Sequence, residues 1–265
     1  MIDKLEKKFS QVYVEIFAIG NELCYGRIYD TNSFWIAEQV TQLGANVQRI
    51  TCVPDDIGII CTSIKEATSR NPHFIITTGG LGPTPDDLTI DALSEVVGLE
   101  IITSQKILEA IAQRRKVSVE QLTPNLVRMA RSLKGAETLP NPVGWAPVTI
   151  VNNGESTIVA FPGPPQEMKG CFTEYLANRI REKTGCESES KRVFVGMYES
   201  QLSPIIEEIK KCIPYCYLKP LVSEYQRDKG LPVDITAFAE NKQACQKKID
   251  EIIKRLEEFL TKNGS

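Results

Sequence analysis

The stretch HFIITTGGLGPTPDDLT, residues 73–89, holds the residue types best suited to chemistry. An apolar run enters a glycine-rich turn, and two carboxylates, Asp86 and Asp87, follow before a helical pattern. The glycines lack a Cβ atom, so consecutive N–H groups can turn toward one anion. Because two carboxylates would repel a bare phosphate, a divalent cation such as Mg²⁺ would have to bridge them to it. The pattern predicts binding of a nucleotide or a pterin phosphate.

The elements around this turn predict a parallel sheet. Apolar strand patterns at 12–19, 46–53 and 73–78 alternate with helical patterns that end at Gly44 and at Asn71-Pro72, and a further helix is predicted over 88–97. Strands that alternate with helices of this length are typical of βαβ units with helices on both faces of the sheet. We therefore expect a three-layer α/β/α domain with a mostly parallel sheet.

Acidic residues follow each of the three predicted strands, where open α/β sheets bind their ligands. One interpretation is functional, and the other is capping, since an N-cap acid alone contributes about 1 kcal/mol to a helix. Capping explains one acid per loop but not the doubled acids in two loops, although surplus carboxylates can also favour the helix dipole. The acids in question are Glu22, Asp30, Asp55, Asp56, Asp86 and Asp87.

A second glycine-containing turn follows a predicted hairpin. Helical patterns at 105–116 and 121–133 lead to the segment LPNPVGWAPV and then to strands at 148–151 and 156–161. The turn FPGPPQEM then runs from a strand end into a helix, so its backbone could close over a ligand held by the first turn. A purely structural turn is equally compatible with these residues.

A domain boundary is expected in the polar stretch 184–190, after a predicted helix over 165–183. Beyond it, strands near 191–197, 215–220 and 232–239 and helices near 199–211 and 241–262 predict a β-α-β-β-α module. The expected domains are residues 1–183 and 191–265. The module resembles KH-type domains in topology, but it has no GxxG clamp, so RNA binding is not expected.

The composition indicates a globular protein and excludes several classes. Of its 265 residues, 42% are hydrophobic and 25% charged, no apolar run reaches membrane-spanning length, and the charged N-terminal sequence is unlike a secretory signal. We expect a cytoplasmic protein without a membrane or nucleic-acid partner, since the net charge is −3. Eight cysteines without a CxxC pair are expected to be mostly buried, reduced thiols, and the single histidine, His73, an ordinary strand-start residue.

Five ordered motifs carry a family resemblance. AIGNEL, GRIYDTNS, TTGGLGPTPDDLT, LPNPVG and FPGPPQEM resemble, in this order and at these separations, the N-terminal region of CinA, the competence/damage-inducible family. Its first domain belongs to the MoaB/MogA/MoeA molybdopterin-binding superfamily. The similarity spans about residues 12–260 and implies a three-layer α/β domain followed by a small α/β module. The C-terminal nicotinamide-mononucleotide deamidase domain of long members, and its activity, are expected to be absent.

The resemblance also implies an activity. Family members act as metal-dependent ADP-ribose pyrophosphatases that release AMP and ribose 5-phosphate, with Mg²⁺, Co²⁺ or Ni²⁺, whereas MogA-type relatives bind a pterin phosphate and transfer an adenylyl group. By this resemblance Asp87 and Asp55 are catalytic. Residue chemistry predicts that Asp87 holds the metal ion, that Asp55 or Asp56 holds it or orients water, and that Glu22 assists as a base. The ligand-binding residues are then Thr78, Gly79, Gly80, Leu81, Gly82, Asn32, Pro162 and Gly163.

Two alternatives to hydrolysis remain: a molybdopterin-binding or adenylyl-transferring protein, and a non-catalytic nucleotide-binding module that mediates assembly. A homo-oligomer, either a dimer or a trimer, is expected by the same resemblance. The sequence departs from many relatives at Trp145, Val148 and Gln166, which we expect to reshape the outer end of the ligand site. Shared fold alone does not fix a reaction.

Overall fold

The computed structural model describes residues 11–263, with side chains as far as residue 259. The chain divides into two compact units. The larger unit comprises residues 11–41 and 45–183, and the smaller comprises residues 42–44 and those from 184 onward.

The larger unit is built on a six-stranded sheet. Its strand order is β2-β1-β3-β8-β7-β6, parallel from β2 to β8 and antiparallel at β7 and β6. A separate antiparallel pair, β4 and β5, lies outside it. The strands are β1 (Tyr13–Ile19), β2 (Asn46–Val53), β3 (Phe74–Thr78), β4 (Ile101–Thr103), β5 (Arg131–Leu133), β6 (Glu137–Leu139), β7 (Val148–Asn153) and β8 (Ser156–Phe161).

The helices of this unit connect the strands. A π-turn at Phe172–Leu176 joins the last two into one continuous helical segment, and a 3₁₀ turn lies at Val119–Gln121. The helices are α1 (Asn21–Cys24), α2 (Thr31–Gln42), α3 (Ile57–Ser69), α4 (Thr89–Val97), α5 (Gln105–Arg115), α6 (Pro124–Met129), α7 (Pro165–Cys171) and α8 (Ala177–Thr184).

Both faces of the sheet are covered because the strands are apolar on both sides. On one face, Phe17 of β1 belongs to the same buried cluster as Ile64 of α3 and Leu93 of α4. On the other face, Phe161 of β8 lies against Phe172, with ring centroids 6.1 Å apart. Phe172 in turn meets the ring of Trp35 in α2 edge-on. The predicted α/β fold with a mostly parallel central sheet is confirmed.

The smaller unit is a three-stranded antiparallel sheet in the order β10-β11-β9, packed with two helices. Its core comes from apolar residues such as Leu202, Val233 and Ile252, which are fully buried. Its elements are β9 (Glu187–Val195), α9 (Glu199–Cys212), β10 (Cys216–Pro220), β11 (Leu231–Ala239) and α10 (Lys242–Asn263).

Two local predictions were wrong. The helical pattern over 121–133 becomes α6 followed by β5, because residues 131–133 pair with residues 101–103 instead of continuing the helix. The strand expected near 191–197 starts earlier, because β9 begins at Glu187, within the polar stretch 184–190, and pairs with β11 as far as Ala239. Cross-strand pairing overrides the local helical pattern in the first case and the local polarity in the second.

The cysteines differ in part from expectation. All eight are free, but only half of them are buried, and three are exposed: Cys24, Cys52 and Cys212. His73 is a strand-start residue as expected, because its amide donates to the Tyr13 carbonyl at 2.9 Å and its Nδ1 accepts from the Tyr13 amide at 3.1 Å. No helix in the described part of the chain has the length and apolar character to cross a membrane.

Candidate ligand-binding cleft

The glycine turn after β3 lies against the end of β1. Gly79 has φ of 102°, and a Cβ atom there would lie 2.1 Å from the Ile19 carbonyl oxygen. Gly80 has φ of 65°, and its Cβ would lie 2.3 Å from Thr89 Oγ1, the hydroxyl that donates to the Gly79 carbonyl. Both positions therefore require glycine, since a side chain would strain the backbone and also collide with its neighbours.

This turn presents unused backbone donors. The Gly79 amide donates to the Phe161 carbonyl at 3.1 Å, which joins the turn to β8. Within residues 11–263, no hydrogen-bond acceptor is found for the amides of Gly80, Leu81 and Gly82. Consecutive free amides in a turn of this kind form an anion-binding concavity. The Leu81 side chain is buried in the core, so only the backbone of this residue faces the cleft.

The second turn, Pro162-Gly163, lies beside the first. A Cβ atom on Gly163 would lie 3.5 Å from the Cα atom of Gly79. The Pro162 carbonyl accepts from Thr78 Oγ1 at 3.1 Å, and the Gly163 carbonyl accepts from Asn32 Nδ2 at 2.7 Å. Both turns line one cleft of about 660 Å³, within the range of small-molecule sites.

Asn32 and Thr78 line the cleft and are also hydrogen-bonded within the protein. Asn32 Nδ2 donates to Thr78 Oγ1 at 2.9 Å and to the Gly163 carbonyl, so both amide hydrogens are used within the protein. The Thr78 hydroxyl is likewise used, since it donates to Pro162. The two side chains therefore tie the ends of β3 and β8 together, and the prediction that they bind a ligand stays a prediction.

The acids divide between the cleft and the helix caps. Glu22, Asp55, Asp86 and Asp87 line the cleft. Asp56 instead caps α3, because its Oδ1 accepts from the Ile59 amide at 2.9 Å, and it is not among the residues lining the cleft. Of these two adjacent acids, only Asp55 lines the cleft, and the catalytic role predicted for each of them stays a prediction. Asp30 also lines the cleft and accepts from the Ser33 amide at the start of α2.

Asp87 is held by its own loop. Its Oδ2 accepts from the amide and from the hydroxyl of Thr84, each at 2.7 Å. Arg128 of α6 fixes the same loop by donating to the carbonyl of Thr84 at 3.0 Å and to that of Asp87 at 3.2 Å. The carboxylate is thus oriented without being neutralised by an ion pair, which leaves Asp87 Oδ1 available to a cation.

Asp55 lies in an acidic environment. Its pKa is raised by burial, and the charges of Glu22, Asp87 and Asp86 raise it further, while the hydrogen bond from the Asn21 amide at 2.8 Å opposes this shift. The raised pKa means that the ionised form of Asp55 is disfavoured, first by burial and then by repulsion from the neighbouring carboxylates. A bound cation would relieve this repulsion.

The donor set fits a hard divalent cation that is only partly held by protein. Among the described residues, no three His, Cys, Asp or Glu side chains lie close enough together to hold an ion by themselves. Mg²⁺ is usually bound through one or two carboxylates, with substrate phosphates and water completing its coordination. Asp55 and Asp87 would supply the two carboxylates. A phosphate bound by the free amides of residues 80–82 would supply further oxygen ligands.

The LPNPVG segment supports the cleft wall, because Asn141 is hydrogen-bonded to the lining residue Glu167. Glu167 Oε2 accepts from Asn141 Nδ2 at 2.6 Å and from the Trp145 amide at 3.3 Å, and Glu167 itself lines the cleft. Trp145 packs instead beside α5, where the guanidinium groups of Arg114 and Arg115 lie over its ring. Trp145, Val148 and Gln166 do not themselves line the cleft, and the expectation that these departures reshape its outer end stays a prediction.

Sequence reasoning missed two apolar residues at the cleft. Ile28 and Tyr29 line it with their side chains largely in solvent, and Tyr29 is 91% exposed. The signal was present in the motif GRIYDTNS, where two large apolar residues interrupt an otherwise polar turn. An exposed aromatic ring beside a phosphate site offers a flat surface to a heterocyclic base.

Comparison with known proteins places the chain in a family. The model of the family described as "Probable molybdopterin binding domain" matches residues 15–182. A protein of Pyrobaculum arsenaticum is 33% identical over 250 residues, which cover 92% of this chain and 93% of that protein. A "CinA-like protein" of Thermosipho melanesiensis is 36% identical over 93% of this chain but only 58% of its own length.

A solved structure supports the same assignment. The protein CinA of Thermoplasma acidophilum, described as being of unknown function, matches with a TM-score of 0.60 and 28% identity, over 64% of this chain and 98% of its own. The chain therefore belongs to the family of the probable molybdopterin binding domain, and its relatives in that family include CinA-like proteins.

Proposed function

We propose that this protein hydrolyses the pyrophosphate bond of a nucleoside diphosphate sugar, ADP-ribose by family resemblance, to AMP and ribose 5-phosphate with a divalent cation. The observation that supports this proposal best is the cleft shared by the free amides of Gly80, Leu81 and Gly82 and the acids Asp55 and Asp87. Pyrophosphate cleavage needs both elements, because negative charge has to be neutralised at two adjacent phosphates.

Each group has a role in this proposal. The amides of residues 80–82 hold the oxygens of one phosphate, and Asp55 and Asp87 face the second. When bound, a divalent cation such as Mg²⁺, Co²⁺ or Ni²⁺ would neutralise charge on the phosphate oxygens. Glu22, which also lines the cleft, orients the attacking water and accepts its proton. The ring of Tyr29 stacks on the base.

The direct test is incubation of the full chain with ADP-ribose and each of the three cations, followed by chromatography for AMP. We expect AMP and ribose 5-phosphate in equal amounts and no product when a chelator is present. Absence of AMP with every cation contradicts the proposal. Tight nucleotide binding without turnover would identify a non-catalytic binding module instead.

A second candidate, binding of molybdopterin or adenylyl transfer to it, is favoured by the description of the matching family. The same cleft would hold the pterin phosphate on the free amides. Transfer differs from hydrolysis in its products, since it consumes ATP and releases pyrophosphate only when a pterin is present. Copurification of a fluorescent pterin, together with pyrophosphate release from ATP, would support this candidate over hydrolysis of ADP-ribose.

A further inference from the structure

Two thiols meet at the rim of the larger unit. Cys24 is the last residue of α1, Cys52 lies near the end of β2, and their Sγ atoms are 3.5 Å apart. Both residues are exposed, and neither is bonded in a disulfide. The separation is a van der Waals contact, so a movement of about 1.5 Å would bring the sulfurs to the bonded distance of about 2.05 Å.

The segments that carry the two thiols are already held together. Asn21, in the same short helix as Cys24, exchanges two hydrogen bonds with Asp55, three residues beyond Cys52. The adjacent backbone is also joined, since the Gly20 amide donates to the Val53 carbonyl at 3.0 Å. These contacts keep the two sulfurs near one another without a covalent bond, and they make the pair a feature of the fold and not of two freely rotating side chains.

We propose that Cys24 and Cys52 are a reactive dithiol that exchanges with small-molecule disulfides and closes to an intramolecular disulfide linking α1 to β2. In the first step, the Cys24 thiolate attacks one sulfur of glutathione disulfide, forms a mixed disulfide and releases one glutathione thiolate. In the second step, the Cys52 sulfur displaces the second glutathione. Two electrons pass from the protein sulfurs to glutathione, and the two thiol protons pass to the released glutathione thiolates.

The bond would act on the wall of the cleft. Asn21 and Glu22 line the cleft and belong to the same four-residue helix as Cys24. A covalent link across the intervening residues restricts the unfolded chain and holds this helix against the sheet. We therefore expect a higher Tm for the oxidised protein and slower amide exchange in residues 21–24.

The local chemistry sets the conditions for the test. The Cys52 side chain is only partly exposed at its sulfur. This partial burial, and then the adjacent Cys24 and the carboxylates of Asp30 and Glu22, raise the pKa of Cys52 to about 12. The exchange is run on the folded, full chain with glutathione disulfide in mildly alkaline buffer, for long enough to let the small thiolate fraction of Cys52 react, and the remaining thiols are then alkylated. Before alkylation, the intact mass should be lower than that of the reduced protein by two hydrogen atoms per chain. After alkylation, the chain should carry two alkyl groups fewer than the reduced control.

Peptide mapping can identify the bond without ambiguity. Trypsin leaves Cys52 and Cys61 in one peptide, but a second protease that cleaves before aspartate separates them, because Asp55 lies between. We expect a linked pair of peptides holding Cys24 and Cys52 that separates on reduction. Cys212→Ser removes an exposed thiol of the smaller unit and should still give the linked pair, whereas Cys24→Ser should not.

The peptide map and the Tm together distinguish closure of the Cys24–Cys52 disulfide from the alternatives. The linked peptides, with a rise in Tm that reduction reverses and that Cys24→Ser lacks, support the proposal. Recovery of Cys24 and Cys52 as separately alkylated peptides, glutathione adducts without closure, or a bond between two chains would overturn it. The result does not depend on ADP-ribose hydrolysis, since no substrate enters the experiment.

Discussion

Asn21 and Asp55 exchange two hydrogen bonds between the loops that follow β1 and β2. The Asn21 amide donates to Asp55 Oδ2 at 2.8 Å, and the Asp55 amide donates to Asn21 Oδ1 at 3.3 Å. This exchange fixes the Asp55 carboxylate in the cleft although neighbouring acids repel it. The adjacent acid, Asp56, faces the other way and caps α3. Two neighbouring residues of the same type therefore have separate tasks.

This separation gives the first prediction. Asp55→Asn should lower kcat/KM for AMP formation at least about 100-fold, because the carboxylate that faces the cation is lost. At neutral pH it should not lower Tm, since the substitution removes a charge whose ionisation is disfavoured by burial and by nearby acids. The matched control, Asp56→Asn, keeps a good N-cap residue and should leave kcat/KM near the wild-type value. Equal losses in both variants would contradict the assignment.

The second prediction concerns cation binding. In the presence of AMP, Mg²⁺ at about 100 times its Kd should stabilise the wild-type protein by about 2.7 kcal/mol. Asp87→Asn should abolish most of this gain, while its side-chain oxygen still accepts from Thr84. Thermal unfolding with and without Mg²⁺ measures the difference, with Asp56→Asn as the control that keeps the gain. A full Mg²⁺ response in Asp87→Asn would remove this residue from the site.

The third prediction tests the backbone of the glycine turn. Gly79→Ala should lower the free energy of unfolding by about 3 kcal/mol or more, because φ is positive and the new Cβ meets the Ile19 carbonyl. Gly98→Ala is a matched control, since Gly98 also has positive φ but has open space around its Cβ position. Its cost should be about 1 kcal/mol, the strain alone. Urea unfolding of the two variants measures both losses in the free energy of unfolding. Equal losses would contradict the prediction, because they would show that the new Cβ atom at residue 79 does not collide with the Ile19 carbonyl.

The fourth prediction concerns the base. Tyr29→Ala should raise KM for ADP-ribose about 10-fold through lost stacking, with kcat and Tm nearly unchanged. Tyr29→Phe should keep the wild-type KM because the ring face is retained. Tyr25→Ala provides the control, since Tyr25 is also exposed but does not line the cleft. Steady-state kinetics with all three variants would refute the stacking role if Tyr25→Ala had the same effect as Tyr29→Ala.

The fifth prediction is a pH dependence that originates at His73. Burial, and then the charge of Lys183, lower the pKa of His73 below its usual value of 6.5. The unfolded chain therefore takes up a proton more readily, so the contribution of His73 to stability is complete above about pH 6.5 and is lost as the pH falls below it. Protonation would also cost Nδ1 its hydrogen bond from the Tyr13 amide. His73→Gln should show a weaker fall of Tm across this interval, and an unchanged slope would contradict the argument.

The sequence by itself determined the parallel sheet and the place of the cleft. Period and polarity predict β1, β2, β3 and the hairpin of β7 and β8 because each strand is rich in apolar and β-branched residues and is followed by a turn that contains glycine or proline. Once those strands are parallel, the loops at their carboxyl ends must meet at one edge. The glycine turn and the acids after each strand could therefore be assigned to one site.

Only the tertiary structure decided which individual groups face the ligand. Asp55 and Asp56 are equivalent in sequence, and their separation depends on Asn21, which is 34 positions away from Asp55. Asn32 is predicted from the sequence to bind the ligand, and only the structure shows that its amide group donates to Thr78 and to the Gly163 carbonyl. Residues 131–133 continue a helical pattern until their pairing with β4 is known. Each of these outcomes depends on contacts between distant residues, which local pattern and propensity do not contain.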